Sequence, residues 1–555
     1  MNKKVFAKFI SLIIVLLAAF IYYYNALPAI NIHSPGLWGF MIGLCVLCVL
    51  VIGIVNGLLN INSKIFGNNG KTTFKSLAKS NVLFKLSIVV TACVILVYLV
   101  GTFLSSPIIN AKKYRELIDI KTSDFAKDIE QISYDEIPLL DKSSAQIIGG
   151  RKMGTMVDYV SQFEVAPDYT QINYQGKPVR VTPLEYGNLL KWFTNQKQGI
   201  PAYITIDMAS QNAECTKLTE GIKYSKSEHF GRLIYRYLRF KYPTYIFDNI
   251  NMELDEEGTP YWICPVKDYT IGLFGGVTIS NVVIVNAVTG EHTDYKIDEV
   301  PTWVDHVYSA NLLISYYDYY GTLQHGYLNS ILSQKGCLKT TDGYNYIALD
   351  DDVWVYTGVT SVGGDESNVG FVLMNQRTAE TKYYQIAGAE EYSAMASAQG
   401  KVQHLGYNAT FPLLLNISGE PTYFISLKDS AGLVKMYAMV NIQKYTVVAT
   451  ANTVEECEQQ YKEMLISNKI TEPETEPEIT DTKSVTGTIA KIAQAVVDGN
   501  SHYYIVLNGT TVIYDVNVAD NIGIVLKNIG DEITLEYIGE TLSDKETMYK
   551  VVNIK

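Results

Sequence analysis

The sequence predicts a three-part chain: an α-helical anchor of three membrane spans, an α+β region with an internal duplication, and a small all-β barrel of OB-like type. Three observations predict it. Charge is segregated: the first 104 of 555 residues hold eight Lys, no Arg and no acid, so they carry +8, while the rest, against a total of −12, carries −20. A set of strands and helices recurs in the same order in the middle of the chain. An acidic, Pro-punctuated stretch, TEPETEPEITDTK (471–483), has linker composition and sets off the last part. With 48 % apolar and 12 % aromatic residues, the chain can fill several cores and is not disordered.

The anchor (1–104) comes first. Residues 9–27, 37–59 and 86–104 carry no charged side chain, and a span needs about 20 such residues. Lys3, Lys4 and Lys8 precede the first segment, and Lys64, Lys71, Lys75, Lys79 and Lys85 crowd the loop between the second and third; the NIHSPG loop has none. By the positive-inside rule the N-terminus is cytoplasmic and everything after about residue 105 is extracellular. Tyr22, Tyr23 and Tyr24 fit an interfacial aromatic belt. The alternative for the first segment is a cleaved signal peptide, from its KK, apolar core and ALPA.

A helical stalk of mixed charge follows at 105–170, then a first α+β unit at 171–300, a helical Tyr-rich insert at 301–340 and a second unit at 341–470. YITIDMASQNAECTKL from Tyr203 lines up with FVLMNQRTAETKYYQI from Phe371. Each is followed by a helical stretch, the first being SKSEHFGRLIYRYLRFKYP, where Ser225 and Glu228 form a capping-box pattern and Pro243 stops the helix. NINMELDEEGTPYWICPVKD then matches PLLLNISGEPTYFISLKD, with Gly258 on Gly419, Pro260 on Pro421 and Trp262 on Tyr423. Finally Val285-Asn286 falls on Val440-Asn441. The hairpin at 282–297 keeps its strands in the second copy while its turn is rewritten, which favours scaffold over catalysis. The final residues, 484–555, read as five short strands. Five Lys against nine acids there make nucleic acid a poor ligand.

VNAVTGE (285–291) resembles the strand ending of PepSY-like modules of exported bacterial proteins, in which a helix packs on a small antiparallel sheet. The whole arrangement is similar to a group of Gram-positive multi-pass membrane proteins with three N-terminal spans. The resemblance implies topology, and a role restraining an exported protease, but no activity.

No Gly-x-Gly-x-x-Gly, phosphate loop, HExxH or Gly-x-Ser-x-Gly occurs in the exported region. Asp350, Asp351 and Asp352, with Asp365 and Glu366 nearby, could ligate Ca²⁺ or simply form a solvated turn. Arg232, Arg236 and Arg239 share a helix face and could grip an anionic polymer or lipid headgroups, or pair with Asp255, Glu256 and Glu257. Tyr316, Tyr317, Tyr319 and Tyr320 could stack on glycan or be ordinary packing residues. His306 beside Asp305, or His229 beside Glu228, would be the base and orienter of a hydrolase, with Cys264 a further candidate; neighbours in sequence rarely face one another. Cys45, Cys48 and Cys93 fall in spans, while Cys215, Cys264, Cys337 and Cys457 are scattered, with two disulfides or four free thiols both open.

The reading is a non-enzymatic, membrane-anchored extracellular binding or scaffold protein of the cell envelope, with no cofactor unless Ca²⁺. Its expected partners are the lipid bilayer and envelope polymers or surface proteins. The alternatives are an envelope hydrolase acting on peptide or glycan and a PepSY-like protease regulator.

Overall fold

The protein is described from a computed structural model that covers residues 3–64, 82–129, 137–349, 351–363, 367–472, 482–497, 500–538 and 548–555. The loop residues Lys71, Lys75 and Lys79, the acids Asp350, Asp365 and Glu366, and most of the acidic linker lie outside these residues. The chain divides into two compact units, Met1–Thr471 and Glu472–Lys555.

Three apolar helices open the first unit: Lys3–Ala26, Pro35–Lys64 and Val82–Leu104, the second packing on both others. Two stretches, Pro35–Ile54 and Phe84–Leu104, are long and apolar enough to cross a membrane, and Leu12–Ala26 is a shorter apolar one. Helix is what such sequence must form where water cannot satisfy the backbone. Pro35 sits at the helix start, where its missing N–H costs nothing, and the Leu37 N–H reaches Ser34 Oγ at 3.4 Å.

Behind them stand four antiparallel sheets of one topology. In each, two short strands laid end to end pair with the same long strand, and two more strands follow. In the first sheet Phe163–Val165 and Thr170–Tyr174 flank Lys177–Tyr186, followed by Ile200–Asp207 and Ala213–Ile222. In the second, Ile246–Phe247 and Asn251–Leu254 flank Pro260–Ile271, followed by Gly275–Asn286 and His292–Lys296. The third runs Leu338–Thr340 and Asn345–Leu349 beside Asp352–Ser361, then Gly370–Asn375 and Thr381–Tyr384. The fourth runs Asn408–Ala409 and Leu413–Ile417 beside Glu420–Lys428, then Val434–Asn441 and Val448–Ala451. A helix precedes each sheet: Lys142–Gly154, Ile234–Lys241, Ala310–Thr322 and Glu391–Lys401. The Tyr-rich segment expected as an insert therefore supplies the helix of the third sheet.

One turn recurs at the end of the fourth strand of each sheet, the one that follows the long strand. The side-chain oxygens of Asp207, Asn286, Asn375 and Asn441 accept backbone N–H groups two or three residues on. VNAVTGE is thus an Asx turn, which explains why its Asn persists while the residues after it change.

Strand alternation decides the stacking. Trp262, Cys264 and Val266 face one core shared with the first sheet, while Ile263, Val282 and Ile284 face another shared with Val355, Val359, Val372 and Met374 of the third. The opposite face of the third sheet, with Trp354, Tyr356 and Phe371, packs on the fourth. Sheets two and three are buried on both faces, and so read as near-continuous apolar runs. The expected stalk is stitched into this body: Ile120–Thr122 pairs in parallel with Thr381–Tyr384.

One local expectation needs correction, and one open alternative is decided. Ser225 and Glu228 do not cap the helix, which begins at Ile234. Glu228 is buried because the Tyr186 hydroxyl and Trp192 Nε1 donate to its carboxylate at 2.7 and 2.8 Å, a local pull that outweighs helix capping. All seven cysteines are free; burial pushes the Cys264 thiol up and the Cys457 thiol up to about 12.

The second unit is a closed five-stranded barrel: Thr482–Val497, Asn500–Leu507, Ile513–Asn517, Glu532–Ile538 and Met548–Ile554. The first strand is long enough to pair with both the second and the fourth, and the third pairs in parallel with the fifth.

Candidate functional site

Two regions of the first unit gather charged side chains. One lies where the apolar helices meet the second sheet. The first helix ends near Ala26, leaving carbonyls without partners at the negative end of its dipole. The helix Ile234–Lys241 supplies cations there. Arg239 Nε donates to Leu27 O at 2.9 Å, and its Nη1 donates to the carbonyls of Tyr242, Pro243 and Tyr245 at 3.1, 3.3 and 2.7 Å. The Arg236 guanidinium lies 4.0 Å over the Tyr24 ring and donates to Tyr24 O and Phe230 O. Arg232 donates to Gln196 O at 2.7 Å. The three arginines do share a region, but they hold main-chain carbonyls; Asp255 instead accepts the N–H groups of its own hairpin turn.

The third apolar helix is held beside them. Ser105 Oγ accepts the Leu273 and Phe274 N–H groups at 2.8 and 3.1 Å, and the Phe274 ring packs on Tyr98 and Trp38. A Cβ on Gly101 would come within 2.7 Å of Leu273 Cδ1, so helix and loop approach closely there and a larger residue would displace the Leu273 side chain.

The other region is a cavity of about 600 Å³ lined by residues of all four sheets and their connections, among them Gln171, Arg180, His306, Tyr346, Gln376 and Phe411. Arg180 projects from Lys177–Tyr186 and is 6 % exposed. Its Nε donates to Leu140 O at 3.2 Å and its Nη2 to Gln171 Oε1 at 3.3 Å; among the described residues Nη1 has no acceptor and no carboxylate lies in salt-bridge range. Burial pushes the guanidinium down to about 10, against smaller opposing effects of Tyr346 and Asp141. Gln171 Nε2 and Gln376 Oε1 are buried and also lack partners among the described residues.

His306 is held by Glu253, not by its neighbour. The fully buried Glu253 carboxylate accepts the Asp305 and His306 N–H groups at 2.8 and 3.0 Å and lies 3.1 Å from His306 Nδ1. Asp305 accepts the Asn173 N–H at 2.7 Å; burial and the Glu253 charge push its carboxyl well above the usual carboxylate range. His229 packs edge-on against Trp192 at 4.7 Å, while Glu228 is occupied elsewhere.

The remaining expected residues fall outside both regions or are engaged. Asp351 is a turn residue at φ +67° accepting from Asn173 Nδ2, and Asp352 is buried in a two-point pair with Arg377 at 2.6 and 2.8 Å. No group of three or more metal-ligating side chains occurs among the described residues. Tyr316 and Tyr317 are 3 % and 2 % exposed, so neither ring offers a face to a sugar; Tyr319 stacks edge-on against Tyr114, and Tyr320 is half-buried against Tyr317. Their helix lies between core and sheet, which takes up the aromatic stripe. Arg180, Gln171 and Glu253 were not expected; the one signal was a charged residue inside the strand PVRV.

No family model and no curated protein matches the chain. Among solved structures it is similar to an ACO/RPE65 chimera (8 % identity, 70 % of this chain and 65 % of that one, TM-score 0.14). It is also similar to a B. megaterium levansucrase (9 %, 78 % and 96 %, 0.18) and to Synechocystis apocarotenoid oxygenase (7 %, 71 % and 64 %, 0.13). The chain thus spans less than two thirds of the length of both oxygenase structures.

Proposed function

We propose that the chain is a membrane-anchored, extracellular binding protein without catalytic activity, crossing the plasma membrane three times with its N-terminus in the cytoplasm. The observation that carries this reading is where the body is fastened. Arg236 and Arg239 hold the end of the first helix, and Ser105 follows the end of the third, whereas Lys3, Lys64 and Lys85 belong to the opposite ends. Body and lysines on opposite ends of the helices is the arrangement the positive-inside rule requires of an exported domain.

Exposed apolar side chains support a seat on the lipid surface. Leu189, Leu190, Phe193 and Phe230 are 62, 76, 68 and 64 % exposed, and the segment bearing the first three is tied through Gln196 to Arg232, in the turn just before the helix that carries the Arg236–Tyr24 contact. Apolar groups flanked by cations suit the headgroup boundary of a bilayer.

The shared topology of the four sheets supports a PepSY-like unit present four times, arising by duplication of a pair, and the strand order of the barrel supports an OB-like terminal module. Envelope polymers or surface proteins are the proposed partners of this platform. The hydrolase reading retains one observation, the Glu253–His306 pair; among the described residues no hydroxyl or thiol is hydrogen-bonded to that ring.

The test is cysteine labelling in intact cells with an impermeant maleimide. Ser210→Cys is expected to label without permeabilisation and Lys71→Cys only after it; the reverse pattern overturns the topology.

A further inference from the structure

We propose that the central cavity is a binding site for a small organic carboxylate, with Arg180 as its anchor. The inference rests on the reading of the chain as a binding protein and names the class of ligand. A buried guanidinium is stable only where its charge and its N–H groups are met. Arg180 has two long hydrogen bonds, to Leu140 O and Gln171 Oε1, and an Nη1 that meets nothing among the described residues. The nearby acid that could neutralise it, Asp141, is committed to Lys428 at 2.7 Å and to the Ser144 N–H at 3.0 Å. The cavity wall therefore carries a guanidinium that no carboxylate pairs directly; Asp141, on the same wall, acts on it only at a distance.

A carboxylate fits better than a spherical or tetrahedral ion. The planar fork of a guanidinium matches the two oxygens of a carboxylate. Gln171 contributes a second unmet donor beside it, and Gln376 brings an unmet acceptor to the same cavity, suited to a hydroxyl or ammonium group on the ligand. Tyr346 and Phe411 line the space for a carbon skeleton, and about 600 Å³ is within the range of small-molecule sites. A larger cavity of about 800 Å³ between the first and fourth sheets has no such feature: it is lined by Lys177, Glu214 and Glu455, and none of the buried unpartnered polar atoms belongs to it.

The experiment is isothermal titration of the full chain in detergent micelles with acetate, lactate, L-glutamate, inorganic phosphate and sulfate as probes. It does not depend on orientation in a membrane, so its failure and a failure of the topology are distinguishable. Saturable binding of lactate or glutamate is expected, weakened at least ~10-fold by Arg180→Lys, which keeps charge but loses the fork. Should that variant fail to fold, Gln171→Met is expected to weaken binding several-fold. An adequate fold with unchanged affinity in either variant, phosphate or sulfate binding as tightly as the carboxylates, or no saturable carboxylate binding overturns the proposal.

Discussion

The arginines of the helix mount and the arginine of the central cavity sit in similar surroundings and are treated differently. Arg239 is largely buried and has no acid partner, yet four main-chain carbonyls accept from it. Arg180 is equally buried and has two acceptors at 3.2 and 3.3 Å, with Nη1 left over. The difference teaches how to tell a structural charge from one held for a partner. Carbonyls at a helix end answer a guanidinium permanently. An empty wall answers it only when something is bound.

The largest expected effect concerns the carboxylate beside the cavity. Glu253→Ala strands the backbone N–H donors of Asp305 and His306 in a buried place and removes the partner of His306 Nδ1, and a loss of about 3–5 kcal/mol in unfolding free energy is expected, read by denaturant titration of the detergent-solubilised chain. A smaller loss would mean that water reaches the site and that the contrast with the mount is one of exposure.

The next effect is on pH dependence. Burial alone would raise the Asp141 carboxyl, but Lys428 and the Ser144 N–H hold it down to about 2. Because the folded-state value lies below the unfolded one, the stabilisation is complete above about pH 4 and is lost as pH falls through about 2. Asp141→Asn should remove that part of the acid transition; an unchanged acid limb would show that the Lys428 pair contributes nothing.

The smallest effect is expected at Asp305, whose carboxyl burial and the Glu253 charge push well above the usual carboxylate range. Its folded-state value is raised, so the native state holds the extra proton and stability falls as pH climbs above the unfolded value. Asp305→Asn mimics the neutral acid and can still accept from Asn173, so a change within about 0.5 kcal/mol at neutral pH is expected. A large loss would indicate that the Asp305 carboxylate is ionised in the folded state.

What was legible in the sequence follows from which interactions are local. Apolar runs marked the three helices, and alternation with Gly and Asn turns marked the strands, because both patterns are written within a few residues. The Asn286–Asn441 match was visible, but Asp207 and Asn375 occupy the same turn and went unpaired with them, since only the side-chain oxygen is shared and the flanking residues differ. That is why two repeats were read where four sheets share one topology. Arg236 and Arg239 were legible as part of one helix face, whereas Arg232 precedes the helix, which begins at Ile234; their partner, the end of a helix 212 residues away, was not legible. The Tyr run left stacking on glycan and ordinary packing both open, because exposure of a helix face depends on what packs against it, here sheets from distant parts of the chain. Arg180 was hidden for the same reason: PVRV reads as an ordinary half-exposed strand until sheets close over its second face.

The direct test compares Arg180→Met with Arg239→Met in the full chain, by thermal unfolding in micelles without added carboxylate. Removing Arg239 should lower the melting temperature, since four carbonyls lose their donor, at about 2–4 kcal/mol. Removing Arg180 should leave it unchanged or raise it, because a buried guanidinium that no carboxylate pairs directly is replaced by an apolar side chain of similar length. If Arg180→Met destabilises the chain as much as Arg239→Met does, the guanidinium is already satisfied within the fold and the cavity holds no charge in reserve for a ligand.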